Sequence, residues 1–529
     1  MIAVRYHDST KHHFNRFAPS LGYLDWATQP NPFRRYEGAP LRALSRVPLA
    51  SDVPYAALFT NDVPPHAVGD DSIGEFLRCS MGLSAWKQYG QSRWALRVNP
   101  SSGNLHPTEA WIVHDGRVCH YAPREHALEE RCVIEPEQRA PVGSTNVFLV
   151  ALTSIVWREA WKYGERAFRY CQHDTGHAIA ALRFAAAMLG WQMHLLPHWP
   201  DTEVAALLGL DRDADFADAE REEPECIAIV GRDPGAGIPE PKAFTQAARE
   251  GKWSGRANRL SSGHVTWPLI DEAVAATRYR DATEEPRTNG SLIPDPGSLP
   301  ALPSLPNTAN ARSIILQRRS ALAFDARGVL SRDAFLAMLG RLRPGAPPWD
   351  VIDWPPHVHL IFFIHRVQDV TPGVYAFLRD PAVRGEWQAV MRPEFLWEEV
   401  HDGFFLLVPI DTGRIANRLS CDQDIAEDGF FSLAMIARFE EPLRRRGEWF
   451  YRRLFWECGV IGQTLYLEAE AAGGRATGIG CYYDDPVHDV LGLSGHAWQN
   501  LYHFSMGLPV EDTRLTSEPG YQWEESRTP

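Results

Sequence analysis

Residues 163–190 read YGERAFRYCQHDTGHAIAALRFAAAMLG, and residues 446–473 read RGEWFYRRLFWECGVIGQTLYLEAEAAG. Glycines recur at a constant separation of 283 residues, pairing Gly164, Gly176 and Gly190 with Gly447, Gly459 and Gly473. The same separation places Leu207–Leu210 onto Val490–Leu493. A register kept over about 45 residues indicates an internal duplication. Because two copies are too few for a solenoid, the chain is predicted to be a fused dimer.

The two halves that contain these copies have a similar order of predicted helices and strands. An arginine-bearing entry segment leads into a helix, and strands, a long apolar helix and a final strand follow. The first half contains the apolar runs Val147–Val150 and Cys226–Val230, and the second contains Phe404–Val408 and Leu501–Ser505. Helices mixed with short strands predict an α+β sandwich. The expected fold class is therefore α+β, with two such halves forming a pseudo-dimer within one chain.

The domain boundaries follow from changes in composition. Residues 281–310 are rich in proline, serine, threonine and asparagine and are predicted to be a linker. The first half is therefore placed at residues 1–280 and the second at residues 311–529. The second half also carries an extra stretch at 411–439, which we expect to be either a lid over a site or structural padding.

Bulk properties limit the possible partners. The chain has 529 residues, a net charge of −14 and 44% hydrophobic residues, enough for sizeable cores but unfavourable for binding nucleic acid or an anionic membrane. No apolar run reaches the roughly 18 residues of a membrane span, and the N-terminal sequence lacks the apolar region of a signal peptide. Eight cysteines without a C-x-x-C pair suit a reducing compartment. We expect a cytoplasmic protein without nucleic-acid or membrane partners.

The segment Asn99–Pro107, NPSSGNLHP, concentrates short polar side chains between two prolines. Its central residues are Ser101, Ser102, Gly103 and Asn104. The prolines stiffen the backbone and the glycine permits close approach of a ligand, although the same composition is typical of an ordinary turn. The segment resembles the P-S-S-x-N-x-Q-P element of the FMN-dependent nitroreductase superfamily, with His106 in place of glutamine. That resemblance implies that these residues bind FMN.

A second element of the same resemblance opens the second half. Arg318, Arg319 and Ser320 are similar to the R-R-S phosphate clamp of nitroreductases, and Ala323 departs from it where a further basic residue is usual. Two guanidinium groups and a hydroxyl suit a phosphate monoester, whereas an Arg-Arg pair on a helix is also typical of a solvated face. The corresponding stretch of the first half, Gln29–Tyr36, lacks the Arg-Ser pair.

The two halves retain complementary parts of the family's site. Gly478, Ile479 and Gly480 match the loop that passes over the flavin ring in the family, whereas Pro197 in the first half has no N–H to offer. Conversely, the P-S-S-x-N element occurs only in the first half. The resemblance therefore implies one composite FMN site and the loss of the other. Arg514 matches the basic residue that commonly completes the phosphate site.

Within the superfamily, the chain is most similar to the SagB-type azoline dehydrogenases. The shared features are Tyr6-His7-x-x-Thr10-Lys11, the Q-P-x-P-F-R-x-Y entry and Lys162–Arg166 followed by Gly176-His177. The resemblance implies that Lys162 and Tyr163 are catalytic. Either side chain could remove a proton from substrate if its pKa were lowered. A lysine beside a packed tyrosine is also a common structural arrangement.

These observations predict an FMN-dependent oxidoreductase, most similar to dehydrogenases of a C–N or azoline-like bond in a peptide or small metabolite. One alternative is a nitro or quinone reductase that takes electrons from NAD(P)H. Another is a flavin-free scaffold subunit of a biosynthetic complex. No metal is expected, because the sequence contains no H-E-x-x-H motif or comparable ligand spacing. The sequence leaves the substrate and the direction of electron flow open.

Overall fold

The computed structural model describes residues 1–135, 146–236, 240–280 and 309–527. The predicted linker at 281–310 therefore lies almost wholly outside the described residues, and the boundaries drawn from it stay a prediction. In the part of the chain that is described, no helix is long and apolar enough to cross a membrane.

The first half contains seven helices and twelve strands among its described residues. The helices are α1 (Ile2–Ser9), α2 (Asp70–Arg78), α3 (Val156–Tyr163), α4 (Ala167–Met188), α5 (Asp201–Leu208), α6 (Pro241–Glu250) and α7 (Pro268–Ala276). The strands are β1 (Tyr36–Glu37), β2 (Leu41–Ala43), β3 (Leu83–Tyr89), β4 (Ser92–Arg97), β5 (Thr108–His114), β6 (Arg117–Ala122), β7 (Ala127–Val133), β8 (Val147–Ser154), β9 (Gln192–Leu195), β10 (Glu223–Gly231), β11 (Lys252–Trp253) and β12 (Arg256–Ala257).

The second half contains eight helices and eight strands among its described residues. The helices are α8 (Ala311–Gln317), α9 (Arg332–Arg341), α10 (Arg384–Val390), α11 (Gly413–Leu419), α12 (Ile425–Asp428), α13 (Glu440–Arg446), α14 (Phe450–Ala471) and α15 (Asp484–Leu491). The strands are β13 (Val358–Ile364), β14 (Gly373–Phe377), β15 (Glu398–His401), β16 (Phe404–Val408), β17 (Phe431–Arg438), β18 (Arg475–Ile479), β19 (Trp498–Gly507) and β20 (Thr516–Pro519).

Each half is built on one antiparallel sheet, and the two sheets have matching strand orders. The order is β11-β7-β6-β5-β8-β10-β9 in the first half, with β2 beside β7, and β15-β16-β14-β13-β17-β19-β18 in the second. All eight residues of β8 are buried, which explains why this strand is a continuous apolar run rather than an alternating one. The predicted α+β class with two halves is confirmed.

The long helices α4 and α14 of the duplicated stretches pack against each other between the two sheets. Every residue of α4 is buried, including the charged Arg169, Asp174 and Arg183. The helices meet at Gly176 and Gly459, two glycines that the duplication makes equivalent. A Cβ on Gly459 would lie 2.6 Å from the Cα of Gly176 and would collide with the His173 carbonyl. These glycines are required because the two backbones touch.

The ends of the chain are exchanged between the halves. Helix α1 packs on the second half, where the Ala3 N–H donates to Glu448 and the His7 ring contacts Gln499 at 2.9 Å. In return, β20 of the second half pairs with β3 of the first, with Ser517 opposite Lys87, in a sheet that β4 completes. The halves are distinct in sequence but interlocked in space.

The stretch at 411–439 is only partly an addition to the second half. Helices α11 and α12 have no helical counterparts before β8 among the described residues. Strand β17, by contrast, occupies the central place in its sheet that β8 occupies in the other. The expectation that the whole stretch is an insertion was therefore wrong, because its apolar C-terminal part is a buried core strand.

Candidate functional site

A cavity of about 600 Å³ lies where the two halves meet. It falls within the roughly 300–1,000 Å³ of small-molecule sites. The first half contributes Asn99–Asn104, the second contributes Arg318–Leu322 and Thr477–Cys481, and the C-terminal segment contributes Val510–Thr513. The structure thus brings together four segments that lie far apart in the sequence.

The Ser-Ser-Gly-Asn loop is fixed to the long helix of its own half. Asp174, on α4, accepts hydrogen bonds from the Ser102 N–H at 3.0 Å and the Ser102 hydroxyl at 3.1 Å. Ser101 Oγ accepts from the His106 N–H at 2.7 Å, and the Asn104 amide donates to the Ala95 carbonyl at 2.9 Å. Several of the loop's own polar groups therefore define its shape.

Two carboxyl groups lie buried under this loop. Burial raises the pKa of Asp174 to about 7, against the hydrogen bonds from Ser101 and Ser102, which lower it. Burial and the neighbouring Asp174 raise the pKa of Glu159, on α3, well above its ordinary value. Sequence reasoning missed both residues, because an acidic residue within a helix carries no signal of what lies against it.

Replacing Asp174 with asparagine is expected to change how stability depends on pH. Unfolded aspartate ionises near 3.8, whereas Asp174 holds its proton in the folded state until about pH 7. Between these values the folded state binds more protons, so this group's contribution falls as pH rises from about 4 to 7, by roughly 2–4 kcal/mol. Asp174→Asn should remove that fall, measured by denaturant unfolding across this range. Exposed Asp211→Asn is the control, and parallel curves for Asp174→Asn and the parent would contradict the assignment.

Lys162 and Tyr163 reach the loop from the end of α3. The Tyr163 hydroxyl lies 2.6 Å and the Lys162 Nζ 3.0 Å from the position that a Cβ on Gly103 would take. Gly103 has a φ of 58°, so a glycine is favoured there by conformation as well as by space. Tyr163 lines the cavity, whereas Lys162 is not among the described lining residues.

The environment of Tyr163 excludes one role that the sequence left open for it. Burial and the nearby Glu159 raise the pKa of the phenol well above its ordinary value. The condition of a lowered pKa is therefore not met at this side chain. A tyrosine with a raised pKa stays protonated near neutral pH, so it can donate a hydrogen bond to a substrate but cannot serve as the base there. The catalytic assignment of Tyr163 stays a prediction.

The Gly-Ile-Gly loop of the second half is packed between aromatic side chains. A Cβ on Gly478 would collide with the Tyr502 hydroxyl, and one on Gly480 would collide with the Tyr170 ring. Tyr170, on α4, donates to the Gly480 carbonyl at 3.1 Å, and the Gly478 N–H donates to Tyr466 at 2.9 Å. The loop thus depends on a tyrosine from the other half, and the Gly478 amide is already engaged.

Cationic side chains gather at one end of the cavity. Arg318 donates to the carbonyls of Val98 and Arg97, while its buried Nη1 has no hydrogen-bond partner among the described residues. Burial and Arg318 lower the pKa of Arg319 to about 10, and burial and Arg319 lower that of Lys87. Burial and a neighbouring arginine thus disfavour the charged forms of Arg319 and Lys87, a condition that an anionic ligand would relieve.

The same end of the cavity contains a hydroxyl and a further arginine. The Ser320 hydroxyl lies 2.8 Å from that of Tyr466. Arg475 lines the cavity too, and contacts Glu470 and Glu511. Lys87 and Arg475 were not predicted, because each stands alone in the sequence. Lys87 comes from the other half.

Arg514 is not brought to the cavity. Its guanidinium pairs with Asp512 at 2.8 Å, and its side chain is 71% exposed. The lining includes Val510–Thr513 and Leu515 but not Arg514. The local Asp-x-Arg contact holds the arginine on the surface side of this segment.

The equivalent place on the other side of the molecule is filled. It is a space of only about 30 Å³, roughly that of one water molecule, lined by Leu195–Pro197 and by residues of α14. Trp449 and Trp456 line it, and Arg452, which also lines it, pairs with Asp201 at 2.6 Å. This space is too small for an organic cofactor.

The described residues thus form two α+β halves of matching strand order, with a cavity between them that has cationic side chains at one end. The chain belongs to the nitroreductase family. The model of that family, described as "Nitroreductase family", matches residues 71–232 and 365–508, which together make up more than half of the chain. No curated protein matches the sequence.

Solved structures agree with this assignment at the level of the fold. A candidate nitroreductase from Anabaena variabilis is similar over 96% of this chain and 99% of its own, with a TM-score of 0.70 and 20% identity. One from Ralstonia eutropha covers 40% of this chain and 96% of its own, with a TM-score of 0.27 and 14% identity. The Escherichia coli microcin synthetase McbBCD complex with truncated pro-MccB17 covers 37% and 71%, with a TM-score of 0.26 and 18% identity. The last two overlay too little to bear on function.

Proposed function

We propose that the chain is an FMN-dependent oxidoreductase that binds one FMN in the cavity between its halves. The observation that carries the proposal is the group of cationic side chains at one end of the cavity, which are Arg318, Arg319, Lys87 and Arg475. A phosphate monoester supplies both the negative charge and the hydrogen-bond acceptors that this end lacks. The donor set therefore fits the phosphate of FMN.

The remaining lining fits a flat ring with polar edges. Arg318, Arg319, Ser320 and Lys87 would hold the phosphate, and the loops Ser101–Asn104 and Gly478–Gly480 would face the ring from opposite halves. Glycines at the places where a Cβ would meet tyrosine side chains keep the Gly478–Gly480 loop close to its neighbours. When bound, FMN supplies hydride transfer, so the chain has to bind, orient and exclude water.

The proposed reaction is a dehydrogenation of a C–N or azoline-like bond in a peptide or small metabolite, as in SagB-type enzymes. Tyr163 would hold the substrate by donating a hydrogen bond, and Lys162 would act beside it at the Ser-Ser-Gly-Asn loop. Asp174 is the carboxyl best suited to accept a proton near neutral pH, since it lines the cavity and has a pKa of about 7. Family membership also favours a second candidate, an NAD(P)H-dependent nitro or quinone reductase.

Counting flavin tests the composite site. We expect one FMN per chain in the visible spectrum of the purified protein, because the equivalent site is filled. Changing Ser102 and Asn104 together to alanine should release the flavin, although both lie in the half opposite the Arg-Arg-Ser segment. Asp353→Ala, at the corresponding place beside the filled site, should keep it.

Four outcomes test the proposed functions and the single site. Flavin reduced anaerobically by an azoline-containing peptide or amine would support the dehydrogenase. Reduction by NAD(P)H followed by oxidation with a nitroaromatic or quinone would support the reductase. Absence of flavin even after reconstitution would refute both and leave the scaffold, and two FMN per chain would refute the single composite site.

A further inference from the structure

Two cysteine thiols face each other at the rim of the cavity. Cys421 and Cys481 are 60 residues apart in sequence, and their Sγ atoms lie 2.8 Å apart as free thiols. Both side chains are half-buried, and Cys481 lines the cavity. Cys421 lies in the turn between α11 and α12, and Cys481 lies two residues after the end of β18.

Hydrogen bonds on either side hold the two thiols together. The Gln423 amide donates to the carbonyls of Ser420 at 2.6 Å and of Cys481 at 3.0 Å. The Tyr483 N–H donates to the Leu419 carbonyl at 2.9 Å. Cys421 itself has a φ of 57°, a conformation that a non-glycine residue adopts only when its surroundings impose it. The fold therefore brings these sulfur atoms together without further rearrangement of the chain.

The pair differs from the other six cysteines. Five are buried, and the half-buried Cys226 lies in the core strand β10. The described residues contain no group of three or more His, Cys, Asp or Glu side chains arranged to hold a metal ion. Two facing thiols without further ligands are suited to disulfide chemistry rather than to metal binding.

The two thiols differ in their access to the cavity. The contact between them is the largest influence on the pKa of each thiol, and Arg166 lowers and Asp484 raises both pKa values, so the charged neighbours do not distinguish them. Cys481 lines the cavity, whereas Cys421 is not among its described lining residues. Cys481 is therefore the thiol that a disulfide entering the cavity meets first, and as a thiolate it attacks that disulfide.

We propose that Cys421 and Cys481 form a reversible disulfide that ties the α11–α12 turn to the rim of the cavity. The oxidant is a low-molecular-weight disulfide such as oxidised glutathione. The Cys481 thiolate attacks one of its sulfur atoms, forms a mixed disulfide and releases one thiolate. Cys421 then loses its proton and attacks the Cys481 sulfur, releasing the second thiol. Two electrons pass from the protein dithiol to the oxidant, which is reduced to two thiols.

The disulfide would act on access to the cavity. Gln423 and Cys481 both line it, so a covalent bond between Cys421 and Cys481 would hold the α11–α12 turn in its present place beside the opening. The formation of this bond does not depend on flavin. Only its effect on flavin exchange rests on the proposed function.

Peptide mapping tests the bond directly. Trypsin cleavage after Arg418, Arg438, Arg475 and Arg514 yields peptides 419–438 and 476–514, each with a single cysteine. After the full chain is incubated with oxidised glutathione and remaining thiols are alkylated, we expect these two peptides to be linked, and dithiothreitol to separate them. Amide hydrogen exchange in residues 411–428 should slow in the oxidised protein. Cys421→Ser should abolish both effects, whereas Cys226→Ser should keep them.

The outcomes separate this inference from the proposed function. A linked pair in a chain that binds no FMN would support the disulfide and refute the flavin site. A linked pair with slower release of FMN would support both. Separate peptides, alkylated or carrying glutathione after prolonged oxidation, would overturn the disulfide whatever the flavin content. A linked pair with unchanged amide exchange would overturn its restraint on the α11–α12 turn.

Discussion

A chain in which Arg318 and Arg319 are both changed to methionine is expected to purify without bound FMN. Methionine keeps an apolar stem of similar length but removes two charged donors from the cationic end of the cavity. Hydrogen bonds to charged groups contribute about 1.5–3 kcal/mol each, so loss of both should weaken FMN binding at least about a hundredfold. Fluorescence titration of the flavin-free protein with FMN measures this change.

Two further variants distinguish a loss of FMN binding from a general loss of folding. Arg318 and Arg319 also donate to the carbonyls of Val98 and Ser84, so the double variant needs a thermal melt beside the titration. Lys87 lies on the half-exposed part of β3. Its replacement by methionine, Lys87→Met, should therefore weaken FMN binding by about tenfold without unfolding the chain. Arg327→Met, whose side chain is 90% exposed, should bind FMN as the parent does. Retention of full affinity by a folded double variant would refute the phosphate assignment.

Changing Gly459 to leucine is expected to prevent the two halves from packing. A side chain there would meet the backbone of α4 at Gly176 and His173, and a buried backbone cannot move aside as a side chain can. We expect a loss of at least about 4 kcal/mol in the free energy of unfolding, the range reached only by severe core disruption. Denaturant unfolding followed by circular dichroism would show this loss as an early or non-cooperative transition.

The matched control is a helical glycine with free space around it. Gly385, in α10, has no atom within 4 Å of the position that its Cβ would take. Gly385→Leu should leave stability unchanged or raise it by a few tenths of a kcal/mol, because glycine is a poor helix former. Comparable losses in Gly459→Leu and Gly385→Leu would show that the helix crossing is not the cause.

The sequence predicted the duplicated helices and three of the segments that line the cavity, because both rest on local patterns. The duplication can be recognised from the constant separation of its glycines. Each of the three cavity segments, Ser-Ser-Gly-Asn, Arg-Arg-Ser and Gly-Ile-Gly, is a run of adjacent residues and can be recognised as a motif. Asp174 stands within the duplicated stretch itself, yet its contact with Ser102 spans 72 residues and leaves no mark in the sequence. Lys87 and Arg475 were missed for the same reason.

Two other expectations depended on contacts that the sequence does not contain. Arg514 was expected to face the cavity, but its side chain is held outside by Asp512, two residues before it. Tyr163 could act as a base only if its pKa were lowered. Its pKa is instead raised, because the phenol is buried near Glu159. In both cases the side chain's environment, rather than its type, decides what it can do.

The small space lined by Trp449 and Trp456 shows that the two halves of one chain can differ at equivalent places. In a two-fold symmetric homodimer every substitution occurs twice, so a tryptophan that closes one pocket closes both. Once both copies are encoded in a single polypeptide, each position can change independently. One former pocket can then become solid core that stiffens the molecule, while its counterpart stays open for chemistry. The asymmetry of this molecule is thus a property that no assembly of identical subunits could acquire by the same substitutions.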